Sequence, residues 1–268
     1  MRHEDREQRQ RNQGSEGRAG PSGKQSAPRG NVAAGHRYAT GAAMSRPDGT
    51  DGMRATSAGP RSDALGSAAA DLHLRHGAAL AAAADVAGVG PEALAAVILT
   101  EQSGLGEVEP GAMPIRFEPY VFWQRTGHWV VATHRDQAAE ASALDAARAL
   151  DESAALSSLR MGLGQLSGAE AEAAGFADAS AMHAEFATDE AAQIAALGTV
   201  VAADASLQSA MQSGDWAHVA ALRAGPAYHA IGYDEGLAAA ASVYSEAYGH
   251  GGGDDDADEP KKKRKRRG

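Results

Sequence analysis

The segment Ala93–Leu99, "ALAAVIL", constrains the fold more than any other part of the chain. Pro91 stands two residues before it, suited to a first helical turn, and Glu92 favours the positive end of a helix dipole. Gly104 follows as a C-terminal stop. A helix over residues 91–104 is therefore apolar on nearly every side. Such a helix belongs at the centre of a domain, with other helices packed around it. It ends on a single carboxylate, Glu101.

The rest of the chain divides by composition. Residues 1–63 carry 11 Lys and Arg against 7 Asp and Glu, among many Gly, Ser, Gln and Pro. That segment lacks the apolar area needed to offset ordering entropy, so it reads as a disordered N-terminal arm. Residues 251–268 place five acids before seven bases, Lys261 to Arg267, and read as a charged, disordered tail. Between them, residues 64–250 hold seven Arg, no Lys and 23 acids, a net charge of −16. This middle is an acidic, Ala-rich globular domain. The absence of Cys excludes disulfides and thiolate zinc sites. No run of about 18 apolar residues occurs, so an ordinary spanning helix is not expected. The first ten residues lack the apolar core of a secretory signal, which points to synthesis in the cytoplasm.

Helical spacing over 64–88 places Leu65, Leu72 and Leu80 on one side. Residues 107–133 gather aromatic and β-branched residues punctuated by Pro114, Pro119 and Gly127, so short strands or an irregular lobe are expected there. Helices are then expected over 136–157, 168–174, 178–185, 188–203, 204–213, 215–223 and 232–248. Asp178, Thr188 and Asp204 are the expected N-caps, and Gly175 and Gly214 the breaks. The fold class is α+β, mostly α, with one small non-helical lobe after the central helix.

Glycosidic cleavage needs a carboxylic acid that donates a proton near neutral pH. A helix C-terminus disfavours negative charge by only about 0.3–1 kcal/mol. A proton held on Glu101 therefore calls for apolar, desolvating neighbours, and Val97 and Ile98 lie one turn before it. The alternative is an ordinary helix-end residue leaning into water.

Several segments, in order, carry a resemblance. Glu101 followed by Ser103-Gly104 and Gly106 resembles the Glu-Ser-Gly-Gly turn bearing the catalytic acid in lysozyme-like peptidoglycan hydrolases. "GAMPIRFEPYVF" (Gly111 to Phe122) and "MGLGQLSG" (Met161 to Gly168) resemble motifs of the phage-endolysin N-acetylmuramidases. So do "AGF" (Ala174 to Phe176) and "AGPAYHAIGYDEGLAAA" (Ala224 to Ala240). The resemblance spans about residues 68–248 and implies a lysozyme-like domain that cleaves the β-1,4 bond between N-acetylmuramic acid and N-acetylglucosamine. It makes Glu101 the general acid and puts Ser103, Gln165, Tyr228 and Tyr233 at the substrate. The implied partner is the peptidoglycan glycan strand, at the bacterial cell wall, with no cofactor and no metal.

The chain departs from the pattern at Gln102, at Tyr120 in place of His, and at Arg160-Met161 in place of Ser-Trp. "ALRAGP" (Ala221 to Pro226) echoes the Ala-Tyr-Asn-Ala-Gly-Pro motif of lytic transglycosylases, with Arg223 and a neighbour where Tyr-Asn stands. Two alternatives follow: a lytic transglycosylase forming 1,6-anhydro ends, or an inactive glycan-binding or virion structural protein of the same fold. No motif selects a second carboxylate among Glu107, Glu109 and Glu118. Glu118 itself reads as a structural partner of a backbone amide or Arg116. His73 and His76 share a helical face but lack a third ligand, which argues against a metal site. Lys261–Arg267 suit anionic envelope polymers, and the acidic domain argues against nucleic acid as a partner.

Overall fold

A computed structural model of the chain describes residues 62–249. The expected arm before residue 62 and the charged tail after 249 lie outside the described residues. The central helix is α2 (Pro91–Ser103), in which Ala93 through Leu99 are all buried. Against it lie α1 (Ser62–Ala87) and α10 (Tyr233–Tyr248). Leu65, Leu72 and Leu80 of α1 are in the core, as their spacing indicates. Alanine supplies helix propensity but little area, so these helices approach closely. The contact of α1 with α7 (Glu190–Ala203) is close at Gly198, where a Cβ would lie 2.5 Å from the Ala83 carbonyl oxygen.

Three short strands form one antiparallel sheet in the order β1 (Ile115–Phe117), β2 (Leu159–Met161), β3 (Leu166–Ser167). The register sets Arg116 directly opposite Arg160 and Met161 opposite Leu166. The free edge of β1 is closed by side chains of α4 (Gln137–Arg148). Gln137 exchanges two hydrogen bonds with the Ile115 backbone, and Glu140 Oε2 accepts from Phe117 N at 2.9 Å. Residues three apart on the helix thus match residues two apart on the strand, and three outward-facing backbone groups of β1 are taken by α4.

The lobe departs from expectation in one way. Its second half is a helix, α3 (Pro119–Thr126), started by Pro119 and ended by Gly127 at φ 75° with its N–H on Trp123 O. The "GLGQ" stretch joins β2 to β3 as a hairpin turn. The helix expected over 168–174 is one 3₁₀ turn, Gly168–Glu170, closed by a Ser167–Glu170 capping box. The expected 136–157 helix is two, α4 and α5 (Glu152–Ser157), because the Asp151 side chain caps the second one. The remaining helices are α6 (Ala179–Phe186), α7, α8 (Ala205–Ser213) and α9 (Trp216–Ala224), and a 3₁₀ turn Tyr228–Ile231 precedes α10. Asp178 and Asp204 are N-caps as expected, while Asp189 takes the position expected for Thr188. Among the described residues no single helix is long and apolar enough to cross a membrane.

Candidate active site

Glu101 sits at the last turn of α2 with its side chain 11% exposed. Its surroundings are polar, not the apolar wall expected from Val97 and Ile98. Tyr233 donates its hydroxyl to Glu101 Oε1 at 2.6 Å. Arg223 Nη2 donates to the same oxygen at 3.1 Å, and Arg160 Nη2 stands 3.6 Å from it. Every one of these contacts falls on Oε1; none falls on Oε2.

The clamp is rigid because each member is fixed by another. Arg223, 2% exposed near the end of α9, also donates Nε to Tyr233 Oη at 3.2 Å and Nη2 to Gly164 O at 2.8 Å. Burial works against its charge, but the Tyr233 oxygen and the Glu101 carboxylate outweigh it and hold the guanidinium above its ordinary value. Burial, with the Glu101 charge behind it, pushes the Tyr233 hydroxyl well above the usual phenol range. Tyr233 therefore stays protonated and acts as a donor to Glu101 while accepting from Arg223.

Beneath the carboxylate lies the hairpin turn Gly162–Gln165. Its carbonyls are each taken by a side chain: Gly162 by Gln165 Nε2, Leu163 by Gln102 Nε2, Gly164 by Arg223. Leu163 N donates to Gln193 Oε1 at 2.8 Å, and Gln193 Nε2 reaches Phe186 O at 2.7 Å. Gly162 has φ 76° and Gln165 has φ 47°, an uncommon conformation for a residue with a Cβ. The turn accepts that strain because five polar side-chain bonds hold it.

Of the residues expected at the substrate, Tyr233 touches Glu101. Gln165 is 1% exposed, its amide nitrogen spent on Pro114 and Gly162 carbonyls and its Oε1 without a partner. Ser103 is exposed and donates to Thr100 O. Tyr228 is half-buried with its ring 3.8 Å from that of His229. Among the described residues, neither Ser103 nor Tyr228 hydrogen-bonds Glu101. The sequence reading did not pick out Arg160 and Arg223 as functional. It met them only as departures from a motif, although two of seven arginines in an acidic domain, each inside a motif, are a usable signal.

Glu118, the N-cap of α3, is the half-buried carboxylate closest in setting to this network. Burial raises its pKa, and the charges of Arg160, Arg116 and His134 oppose the rise only in part. Arg160 is thus placed between two carboxylates, which offsets its cross-strand opposition to Arg116. Glu107 and Glu109 are exposed. His73 stacks on Tyr248 with ring centroids 3.9 Å apart, and His76 lies 3.0 Å from Glu190, so both are engaged in helix packing.

A mostly helical domain with a three-stranded lobe following its central helix has the architecture of the lysozyme-like class. A family model for N-acetylmuramidase matches residues 90–245. A crystal structure of the Burkholderia AP3 phage endolysin is similar to this chain with a TM-score of 0.54 and 27% identity, covering 69% of this chain and 85% of that one. No match is found among curated proteins. The chain belongs to the N-acetylmuramidase family, whose members are peptidoglycan glycosidases.

Proposed function

We propose that the chain cleaves the β-1,4 bond between N-acetylmuramic acid and N-acetylglucosamine, with Glu101 as general acid. The observation that supports this most is the convergence of Tyr233, Arg223 and Arg160 on Oε1. These groups only donate to that oxygen, so the proton for the leaving group belongs on Oε2. As the proton departs, negative charge develops on the carboxylate. Fixed donors at Oε1 then stabilise the transition state more than the ground state. Glu101 thus differs from the acid expected behind an apolar wall: its fixed donors favour the anion that the donated proton leaves behind.

Water or the sugar's own acetamido group resolves the oxocarbenium-like centre, and the lone carboxylate in the clamp keeps the transglycosylase route open. Mass spectrometry of digested peptidoglycan distinguishes them: anhydro ends mean that no water entered. The decisive experiment is loss of turbidity of purified peptidoglycan with wild type and Glu101→Gln side by side. Lysis by wild type alone, at equal stability, supports the reading. Equal lysis by both proteins overturns the assignment of Glu101, and no lysis by either favours a glycan-binding protein of the same fold. Lys261–Arg267 would help the acidic domain approach anionic envelope polymers. Removing residues 254–268 should then lower lysis of whole cells at low salt while sparing purified wall.

A further inference from the structure

The surface of the lobe after β1 is unlike the rest of the domain in two independent respects. It exposes large aromatic area: Trp123 is 44% exposed, Trp129 61% and Val131 72%. Tyr120 and Trp123, three apart on α3, stack with centroids 5.7 Å apart and an interplanar angle of 29°. The chain has three Trp, and the remaining one, Trp216, is half-buried on α9. The stretch 113–135 is also locally positive. It carries three Arg and two His against one Glu, between Glu107 and Glu109 on one side and Asp136 and Glu140 on the other, inside a domain of net charge −16. Arg125 and Arg135 are exposed there.

Residues of this stretch meet the turn after Glu101 in one recess. That turn, through Gly104 and Leu105, lines the recess together with Arg116, His134, Asp136, Gln137 and Glu140. Trp129 and Val131 lie five and three residues before His134 in the chain. On the other side, α3 begins at Glu118, on which Arg160 acts, and Arg160 reaches Glu101.

Resting on the function proposed above, we infer that Tyr120, Trp123 and Trp129, with Arg125 and Arg135, form a docking surface for the glycan strand of peptidoglycan beyond the cleaved bond. A pyranose ring presents a face of C–H groups that packs on an exposed indole, while its hydroxyls stay in water. Peptidoglycan strands also carry carboxylates on their peptide stems, which suit the two exposed guanidiniums and are repelled by the rest of the domain. Exposed aromatic area of this kind marks a recognition surface more often than an accident of packing.

The test uses the Glu101→Gln protein, full length, so that binding is read without turnover. Purified sacculi serve as the insoluble probe and chitotetraose as the soluble one, followed by tryptophan fluorescence. Trp129→Ala and Trp123→Ala should each raise the Kd for sacculi by about tenfold, the scale of a central aromatic anchor. Trp129→Phe should restore most of the affinity. Arg125→Gln should weaken binding to sacculi several-fold and flatten its salt dependence, leaving chitotetraose unaffected. The proposal falls if the Trp→Ala proteins bind sacculi within about twofold of their parent. It also falls if sedimentation shows that these residues hold a second copy of the chain. Release of reducing ends by the otherwise unaltered chain separates the two claims. If that chain cleaves and the Trp→Ala versions cleave and bind equally well, the docking surface is wrong and the catalytic reading stands. If it releases none, the catalytic reading fails, and the binding series still judges the surface.

Discussion

Tyr233 and Arg223, ten residues apart across the turn between α9 and α10, are bonded to each other and to the same oxygen of Glu101. One oxygen of the carboxylate is thus held by a phenol and a guanidinium that also hold one another. Such a triangle fixes the rotamer of Glu101, and on the proposed function its second oxygen carries the proton.

Tyr233→Phe removes the 2.6 Å donor and leaves the ring in place. A hydrogen bond to a charged group is worth about 1.5–3 kcal/mol, which corresponds to roughly a 10- to 150-fold fall in kcat. KM for wall fragments should stay within about twofold, because the hydroxyl addresses the acid and not the sugar. An unchanged kcat would remove Tyr233 from the mechanism.

Arg223→Met tests how the clamp contributes to stability. Arg223 is 2% exposed, so its loss leaves a partly buried carboxylate facing one fewer cation. Breaking a buried pair from one side costs about 3–5 kcal/mol. In the Glu101→Gln background the same substitution should cost about 2 kcal/mol less, since no anion is stranded. Urea unfolding of the four proteins gives the coupling. Additive losses would show that the two side chains do not interact.

Glu118 gives a pH dependence with a definite sign. Burial lifts its folded-state pKa above the ordinary value of 4.5, so the folded chain binds its proton more tightly than the unfolded one. Its contribution to stability is therefore lost as pH rises through that window and stays lost at neutral pH. Glu118→Gln should raise the stability at pH 7 by on the order of 1 kcal/mol or less, with the two proteins converging near pH 4. Thermal unfolding across pH 4–8 measures it. A variant that is less stable at pH 7 would mean that the pairing with Arg160 and Arg116 outweighs burial.

What the sequence made legible follows from range. The α2 helix was readable because Pro91, the apolar run and Gly104 are local signals pointing one way. Tyr233 and Glu101 came from motifs, and they meet. The lobe helix α3 was missed because "YVFW" reads as strand by side-chain type, while Pro119 at its start and Gly127 at its end are helix punctuation that composition masked. The strands β2 and β3, three and two residues long, are too short to show alternation. Arg160, Arg223 and Gln102 looked like losses from a motif. Each instead bonds or faces a group on a distant segment: Glu101 for the two arginines, Leu163 for Gln102. No local pattern announces a partner 122 residues away, as Arg223 is from Glu101.

The last prediction concerns packing at the α1–α7 crossing, where two ordinary effects oppose each other. Gly198 lies inside α7, and replacing a helix-interior glycine by alanine gains about 1 kcal/mol in helix propensity. The added Cβ, however, would sit 2.5 Å from the Ala83 carbonyl oxygen and 3.1 Å from the Ala83 Cβ. The nearest atom is helix backbone, which cannot rotate away as a side chain does. Relief requires α7 to move off α1, and overpacking of this kind costs about 1–3 kcal/mol. Steric cost should therefore win, leaving Gly198→Ala less stable by about 1–2 kcal/mol. Because neither Gly198 nor Ala83 bonds to Glu101, Tyr233 or Arg223, kcat at 25 °C should be preserved while the urea midpoint falls. A midpoint that rises would show that the two helices have slack at this crossing and that propensity dominates.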